Sequence, residues 1–506
     1  MQVLTDNEYG FDISKDNPFL IFRILQHYAK ESVGEGNYID LSRGDPGYGF
    51  TPSVAGREFY SFLVMLDTHF NNNTERFIYR EEPYEQTLNQ IQNIARNIYT
   101  VDKAEQLLAS LDHLMQELAR ITQRSKEDIL FQIFKYATVS GGTYHDPKGE
   151  AMVREVIAYQ ESEVLGMKIS AKDIIPTNGA NHAIGTFFEL MGSEGLNYLE
   201  PGDTVAICSP VYAPYNLQIE QRGLKTITFN VDPLTGELDA DSIQAMQDSK
   251  DRIKMILIID PNNPTGFPLK ENQLKILAEV ADQHDSIILT DEVYFNFFNQ
   301  KESILKYAPN RTVRISALTK IERSAGIRFG YFMLTEEANQ YLSTQVLNNH
   351  LKEDDLHKSL LFAKAPGGTT GSFQHVTFVP GPMQYLGLCH MILGNNELQE
   401  YKQNVAQNMQ AFTQELNLDH EGNAYYIIFD LNSVLGCTKK GTPIEQKMID
   451  LAKAGVVYIP AFIFFDEKVR QANPDRYLNM VRASVVNTST ENVAKAAKIT
   501  KQYLTS

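Results

Sequence analysis

The middle of the chain alternates short strand-like runs with helix-like stretches, and that alternation limits the folds open to it more than any other feature. KDIIPTN, DTVAICS, IKMILII, DSIILTD and RTVRISA are short and rich in β-branched residues. Such runs suit strands buried on both faces, as in a parallel sheet. Between them lie helix-like segments such as HAIGTFFELMG and ENQLKILAEVADQH. Alternation over this length predicts an α/β fold, with a mainly parallel sheet covered by helices on both faces. Ligands of such sheets bind at the carboxyl ends of the strands, where the loops collect.

At 506 residues the chain exceeds the ~250–300 at which a single core stops growing, so more than one domain is expected. Residues 141–383 read as the large, sheet-bearing domain. Upstream, residues 55–140 read as a helical insertion. There Leu107, Leu111, Leu114, Leu118 and Ile121 recur on one helical face, and Ser125 with Asp128 predicts a cap for a second helix. This block offers no site residues of its own and reads as a packing or oligomer-interface element. Residues 384–506 turn helical, then give strands at AYYIIFDL, GVVYIPA and YLNMVRASV. Together with residues 1–54 they are expected to form a smaller α+β domain.

Lys and Arg number 46 against 63 Asp and Glu, a net charge of -17. That balance repels nucleic-acid phosphates and anionic membranes, so neither is expected as a partner. A site for an anionic substrate must then be built from a few placed cations. Cys208, Cys389 and Cys437 lie far apart in the sequence, which argues against a disulfide framework or a metal pair. The N-terminus is acidic and polar, and no stretch approaches the ~18–20 apolar residues of a membrane span. A reducing cytoplasm is the expected setting.

The strand-end loops carry the chemistry. Lys320 sits in ISALTKIERSAGIRFGY, with Gly326, Arg328 and Gly330 at fixed offsets. A lysine after a strand is ordinarily a solvated charge; in this company it is a candidate amine for a carbonyl-bearing cofactor. Thr319 and Arg328 supply a hydroxyl and a forked cation for a phosphate. Asp291 follows the apolar run IILT, where a carboxylate is expensive without a partner. It is either a cap or turn residue, or the acceptor for a protonated ring nitrogen. Tyr294, three residues on, and Asn263 in DPNNPTG are candidate donors to a ring oxygen. TNGANHAI places Gly179, Ala180 and Asn181 at a predicted helix N-terminus, an anion site. Tyr212 in SPVYAPY is either a core tyrosine or a face on which a ring stacks.

In their order, NGAN, PVYAPY, PNNPTG, DEVY and TK with GIRFGY resemble the class I/II aminotransferases of fold type I, which use pyridoxal 5'-phosphate (PLP). The resemblance runs from about residue 35 to the end, apart from the helical insertion. It implies that Lys320 bonds the cofactor, that Asp291 pairs with the pyridine nitrogen, and that Asn263 and Tyr294 bind the ring oxygen. It implies further that Gly179, Ala180, Asn181, Thr319 and Arg328 form the phosphate cradle and that Tyr212 stacks. Tyr144, in TYHDPKG, matches a tyrosine that the family sends to the neighbouring subunit's phosphate, so a homodimer or higher homo-oligomer is expected. Arg482, in MVRASVV, matches the clamp on the substrate α-carboxylate, and Gly44 the backbone contact beside it. The implied substrates are an amino acid and a 2-oxo acid.

In layout the chain is similar to bacterial aspartate 4-decarboxylases, which also transaminate aspartate. Those enzymes carry a comparable insertion, an Arg-Gly-Asn-Pro turn and an Arg-Ala-Ser signature; the strings here are LSRGDPGYGFTP and VRASVVNTSTEN. Arg43, adjoining Gly44, is then a candidate for a second substrate carboxylate, or else forms a structural salt bridge. Two departures stand out. Ala317 replaces a hydroxyl residue common in the family, and AFIFFDEKVRQANPDRYLN does not follow the decarboxylase pattern. The resemblance implies transamination of aspartate or a similar acidic amino acid, with 4-decarboxylation to alanine and carbon dioxide as the alternative. A binding protein that has kept the fold without the activity is a third reading.

Overall fold

A computed structural model describes residues 10–13, 18–46, 54–70, 83–136, 146, 148–192, 198–348, 379–420 and 424–506. Its centre is a seven-stranded sheet in the order β2-β8-β7-β6-β5-β3-β4. The strands are β2 (Ile174–Thr177), β3 (Thr204–Ser209), β4 (Lys225–Asn230), β5 (Ile253–Ile259), β6 (Ile287–Asp291), β7 (Thr312–Ala317) and β8 (Gly330–Met333). Neighbours from β4 to β7 pair in parallel, while β8 runs antiparallel to both β7 and β2. The five apolar runs of the sequence are β2, β3, β5, β6 and β7. β4 adds an edge strand with only Phe229 fully buried, and β8 is a four-residue strand inside the GIRFGY motif.

Side chains alternate across the sheet, and the alternation joins different layers. On β8, Phe332 belongs to a core shared with helices Ala180–Met191 and Glu271–Gln283, whereas Tyr331 and Met333 face another. That second core is formed with helices Val54–Phe70, Tyr84–Ile98, Val101–Thr122, Lys126–Tyr136 and Ala151–Leu165. Leu107, Leu111, Leu114 and Leu118 are buried there, as their spacing predicts. Ser125 Oγ accepts from the Asp128 backbone N–H at 3.1 Å, the cap read from the sequence. Helix Gly381–Leu393 packs into the same layer, against helix Val54–Phe70.

A third core holds the C-terminal lobe, in which β12 (Met480–Ser484) pairs antiparallel with β9 (Tyr426–Asp430) and β11 (Ile459–Pro460). The N-terminal segment joins it: β1 (Ile39–Asp40) runs parallel to β10 (Val456–Val457), and the Ser484 N–H donates to the Leu41 carbonyl at 2.7 Å. Val293, Tyr294, Ala317 and Ile321 of the large sheet's strand ends pack into this core. The lobe therefore closes over the loops on which the motifs lie.

One buried ion network crosses the sheet. Arg314 on β7 is fully buried, and its Nε donates to Glu292 at 2.6 Å and its Nη1 to Glu161 at 2.5 Å. Ser303 Oγ donates to Glu292 at 2.7 Å, and the Tyr331 hydroxyl donates to Glu161. Removing the cation leaves two carboxylates buried without a counter-charge. Arg314→Met is therefore expected to cost about 3–5 kcal/mol, read as a lower midpoint in urea unfolding at unchanged slope.

Candidate active site

The strand ends of β2, β5, β6 and β7 converge on a cavity of about 330 Å³. Local chemistry fixes each contribution. After β5, the Asn262 side chain accepts from the Thr265 N–H (3.1 Å) and donates to the Pro210 carbonyl (3.2 Å). That holds the turn and leaves Asn263 for the cavity. Gly266 in the same turn has φ +82°, and a Cβ there would meet the Tyr426 carbonyl at 2.0 Å, so only glycine fits. After β7 the chain enters the short helix Leu318–Ile321, which carries Thr319 and Lys320 into the cavity. After β2, Gly179 (φ +91°) turns the chain into helix Ala180–Met191.

Lys320 Nζ donates to the Gly44 carbonyl at 2.5 Å and lies 5.4 Å from the Tyr425 ring centre. Asp291 forms the buried floor. Its Oδ2 accepts from the Tyr215 hydroxyl at 2.5 Å and its Oδ1 from the Val293 N–H at 3.2 Å. Burial outweighs those bonds and pushes its carboxyl up to about 6. Among the described residues no cation pairs with it. The Tyr294 and Tyr426 hydroxyls lie 3.0 Å apart, and Tyr426 also donates to the Gly44 carbonyl at 3.3 Å. A Cβ on Gly44 would meet the Tyr426 hydroxyl at 2.4 Å, which explains the glycine.

Arg482 on β12 is buried and sandwiched between the Tyr426 and Phe464 rings, at 4.5 and 4.8 Å. Nη1 donates to Asn263 Oδ1 (3.2 Å) and Nη2 to the Ser42 carbonyl (2.6 Å), while Nε has no partner. Arg328 adopts a left-handed φ of 56°, uncommon for a residue with a side chain. Its guanidinium donates to the Asn178 carbonyl at 3.3 Å. A Cβ on Gly179 would come within 2.7 Å of Arg328 Nη2, so the glycine opens the space the arginine occupies.

Of the residues singled out from sequence, Gly44, Ala180, Asn181, Tyr212, Asn263, Asp291, Tyr294, Thr319, Lys320, Arg328 and Arg482 line this one cavity. Gly179 backs it. Arg43 does not line it: its side chain is exposed and pairs with Asp45 at 2.5 Å, the salt-bridge alternative. Tyr144 lies outside the described residues. The cavity also recruits Asp45, Tyr215 and Tyr426, which sequence reasoning missed. Tyr215 closes PVYAPY, and a desolvated carboxylate at β6 needed a donor. Tyr426 sits in a strand whose aromatic residues read only as core. Asp45 Oδ1 is buried without a partner.

The chain belongs to the class I and II aminotransferase family, whose sequence model matches residues 91–498. An aspartate aminotransferase of Musicola paradisiaca is 31% identical over 184 residues, 34% of this chain and 43% of that protein. A bifunctional aspartate aminotransferase and L-aspartate beta-decarboxylase of a Pseudomonas species is 30% identical over 163 residues, 31% of this chain and 30% of that one. The chain spans about half the length, or less, of the curated relatives it matches. The fold matches a solved Thermus thermophilus aspartate aminotransferase, a single mutant, with TM-score 0.62, 18% identity and full coverage of both chains.

The family uses PLP, and the cavity fits it. A pyridine N–H would supply the cation that Asp291 lacks, and the space at Gly179 with Arg328 and the helix N-terminus suits a phosphate. Among the described residues no cluster suits a metal ion, and no helix is long and apolar enough to cross a membrane.

The raised Asp291 carboxyl has a testable sign. In the cofactor-free fold it holds its proton up to about pH 6, whereas in the unfolded chain it ionises near ~3.9. The native state then binds more protons between those values, so this group's contribution to stability falls as pH rises through the window. Cofactor-free Asp291→Asn is expected to melt above wild type at pH 8, with the difference vanishing toward pH 4. A difference independent of pH would contradict the burial argument.

Proposed function

We propose that the protein transaminates aspartate or a similar acidic L-amino acid with a 2-oxo acid, using PLP bound at Lys320. The observation that carries this reading is the buried Arg482, whose free Nε lies on the same cavity wall system as the Lys320 amine and the unpaired Asp291. An α-carboxylate needs two donors in one plane, and a guanidinium presents them. Bound here, the cofactor supplies an aldehyde that bonds amines and a ring that withdraws electrons from the adjoining carbon. The protein does the rest. Asp291, held by Tyr215 and Val293, keeps a proton on the ring nitrogen. Tyr294 and Asn263 are placed for the ring oxygen, and Tyr212 for the ring face. Arg482 fixes the substrate carboxylate, which aims the α-C–H at the Lys320 amine, the group that removes and returns its proton.

The acidic preference draws on the relatives named for aspartate, and it extends to Arg43. Its partner Asp45 lines the cavity, so a modest side-chain swing brings the guanidinium toward a second carboxylate. Aspartate 4-decarboxylation is the second reading, favoured by the bifunctional Pseudomonas relative. We also propose a homodimer in which Tyr144 reaches the neighbouring subunit's phosphate site.

Incubation of the PLP-loaded protein with L-aspartate, with and without 2-oxoglutarate, separates the readings by NMR. Glutamate and oxaloacetate that appear only with 2-oxoglutarate support transamination; alanine and carbon dioxide without it support decarboxylation. Lys320→Ala is expected to abolish turnover and the visible absorption of the lysine-bound cofactor, and a retained band would remove Lys320 from this role. Arg43→Ala is expected to lose activity on dicarboxylic amino acids at least tenfold more than on neutral ones. Equal loss on both would exclude it as a receptor for the second carboxylate.

A further inference from the structure

The short helix Leu318–Ile321 is a partition between two cavities. Thr319 and Lys320 line the active-site cavity on one side. Leu318, Ile321 and Glu322 line a second cavity, of about 470 Å³, on the other. The far wall of this second space comes from the helical block and its neighbours, including Ile121, Ile392 and Lys402.

The charges around it divide into those already satisfied and those that are not. Arg120 pairs with Glu117 at 2.7 Å, and Glu161 is held by Arg314. His113 and Glu163 are exposed to solvent. Arg323, whose charge also acts on Glu322, pairs with Glu397 at 3.4 Å and lies over the Tyr401 ring. Glu322 and Lys402 remain. Glu322 is only 8% exposed, and among the described residues neither group has a hydrogen bond or ion pair. They sense each other electrostatically, yet stand too far apart to form an ion pair. Burial pushes the Glu322 carboxyl up to about 7 and lowers the Lys402 ammonium. Each is costly alone, and one ligand carrying the complementary pair satisfies both.

We propose that this cavity is a second binding site, for a zwitterionic α-amino acid with an apolar side chain. Glu322 receives the ammonium, Lys402 receives the carboxylate, and Leu318, Ile321 and Ile392 pack on the side chain. The ligand touches the helix that carries Lys320, so occupancy is coupled to the active site through a single turn of backbone. The binding claim does not depend on the reaction assigned to the active site.

The probe is N,N-dimethyl-L-leucine, whose tertiary ammonium keeps one N–H for Glu322 but cannot form an imine with a cofactor aldehyde. Titration calorimetry on the PLP-loaded protein is expected to show one site per chain, with affinity falling at least tenfold in both Glu322→Gln and Lys402→Met. Binding is also expected to shift the cofactor's visible absorption in wild type. Lys402→Met lies outside the catalytic machinery and should melt no lower than wild type and keep the wild-type aspartate KM, which separates lost binding from lost fold. Absence of binding, or equal affinity in wild type and both variants, would overturn the proposal.

Discussion

The fully buried guanidinium of Arg314 sets the frame on which everything functional hangs. Taking one cation and two carboxylates out of water costs several kcal/mol per ion, and only close, well-aligned contacts repay it. Arg314 lies on β7, Glu292 directly follows β6, and Glu161 lies on helix Ala151–Leu165. The three groups satisfy one another only when these elements hold one relative position. The network therefore fixes how the ends of β6 and β7 stand to each other. Those ends carry Asp291 and the helix of Lys320, so the network sets the spacing between the Asp291 carboxyl and the Lys320 amine.

Adjacent residues receive opposite treatment from the same desolvation. Glu292 has a cation and two hydroxyls; Asp291, one residue before it, has a tyrosine, a backbone N–H and no cation. Arg482 is the mirror image, a buried cation with an unpartnered Nε and, among the described residues, no carboxylate against it. Within this cavity, packing leaves a carboxylate short of a cation and a guanidinium short of an anion. Such deficits are where a folded protein is built to be completed by something that binds.

The parts of this design visible in the sequence are those whose signal is local. The five apolar runs are strands, four of them paired in parallel, because a buried strand needs little beyond β-branched residues in a row; β2 is the exception in pairing, an edge strand antiparallel to β8. The leucines from 107 to 118 are buried at their helical spacing, and Ser125 caps as its pattern predicts. Ten of the cavity's lining residues stand in motifs at strand ends, because a loop that needs a special turn must spell it with Gly, Pro and Asn. The rest depends on contacts far apart in the chain. β4 has one fully buried side chain and reads as polar. Tyr426 sits in a strand with no mark to separate it from the core tyrosine beside it, and becomes a site residue only because Gly44, 382 positions away, leaves room for its hydroxyl. Arg314 reads as one more charge in a strand until Glu161 arrives from 153 residues upstream.

Arg43 shows why adjacency in sequence is a weak guide to direction. Gly44 lines the cavity, whereas the side chain of its neighbour Arg43 is exposed outside it and held by Asp45. Asp45 decides the electrostatics of this wall. With Asp45 the pair is neutral overall, and a carboxylate borders the cavity unless the arginine stays with it. Any group that draws Arg43 inward must therefore displace it from Asp45, so the ion pair, more than the presence of an arginine, decides the charge this wall presents.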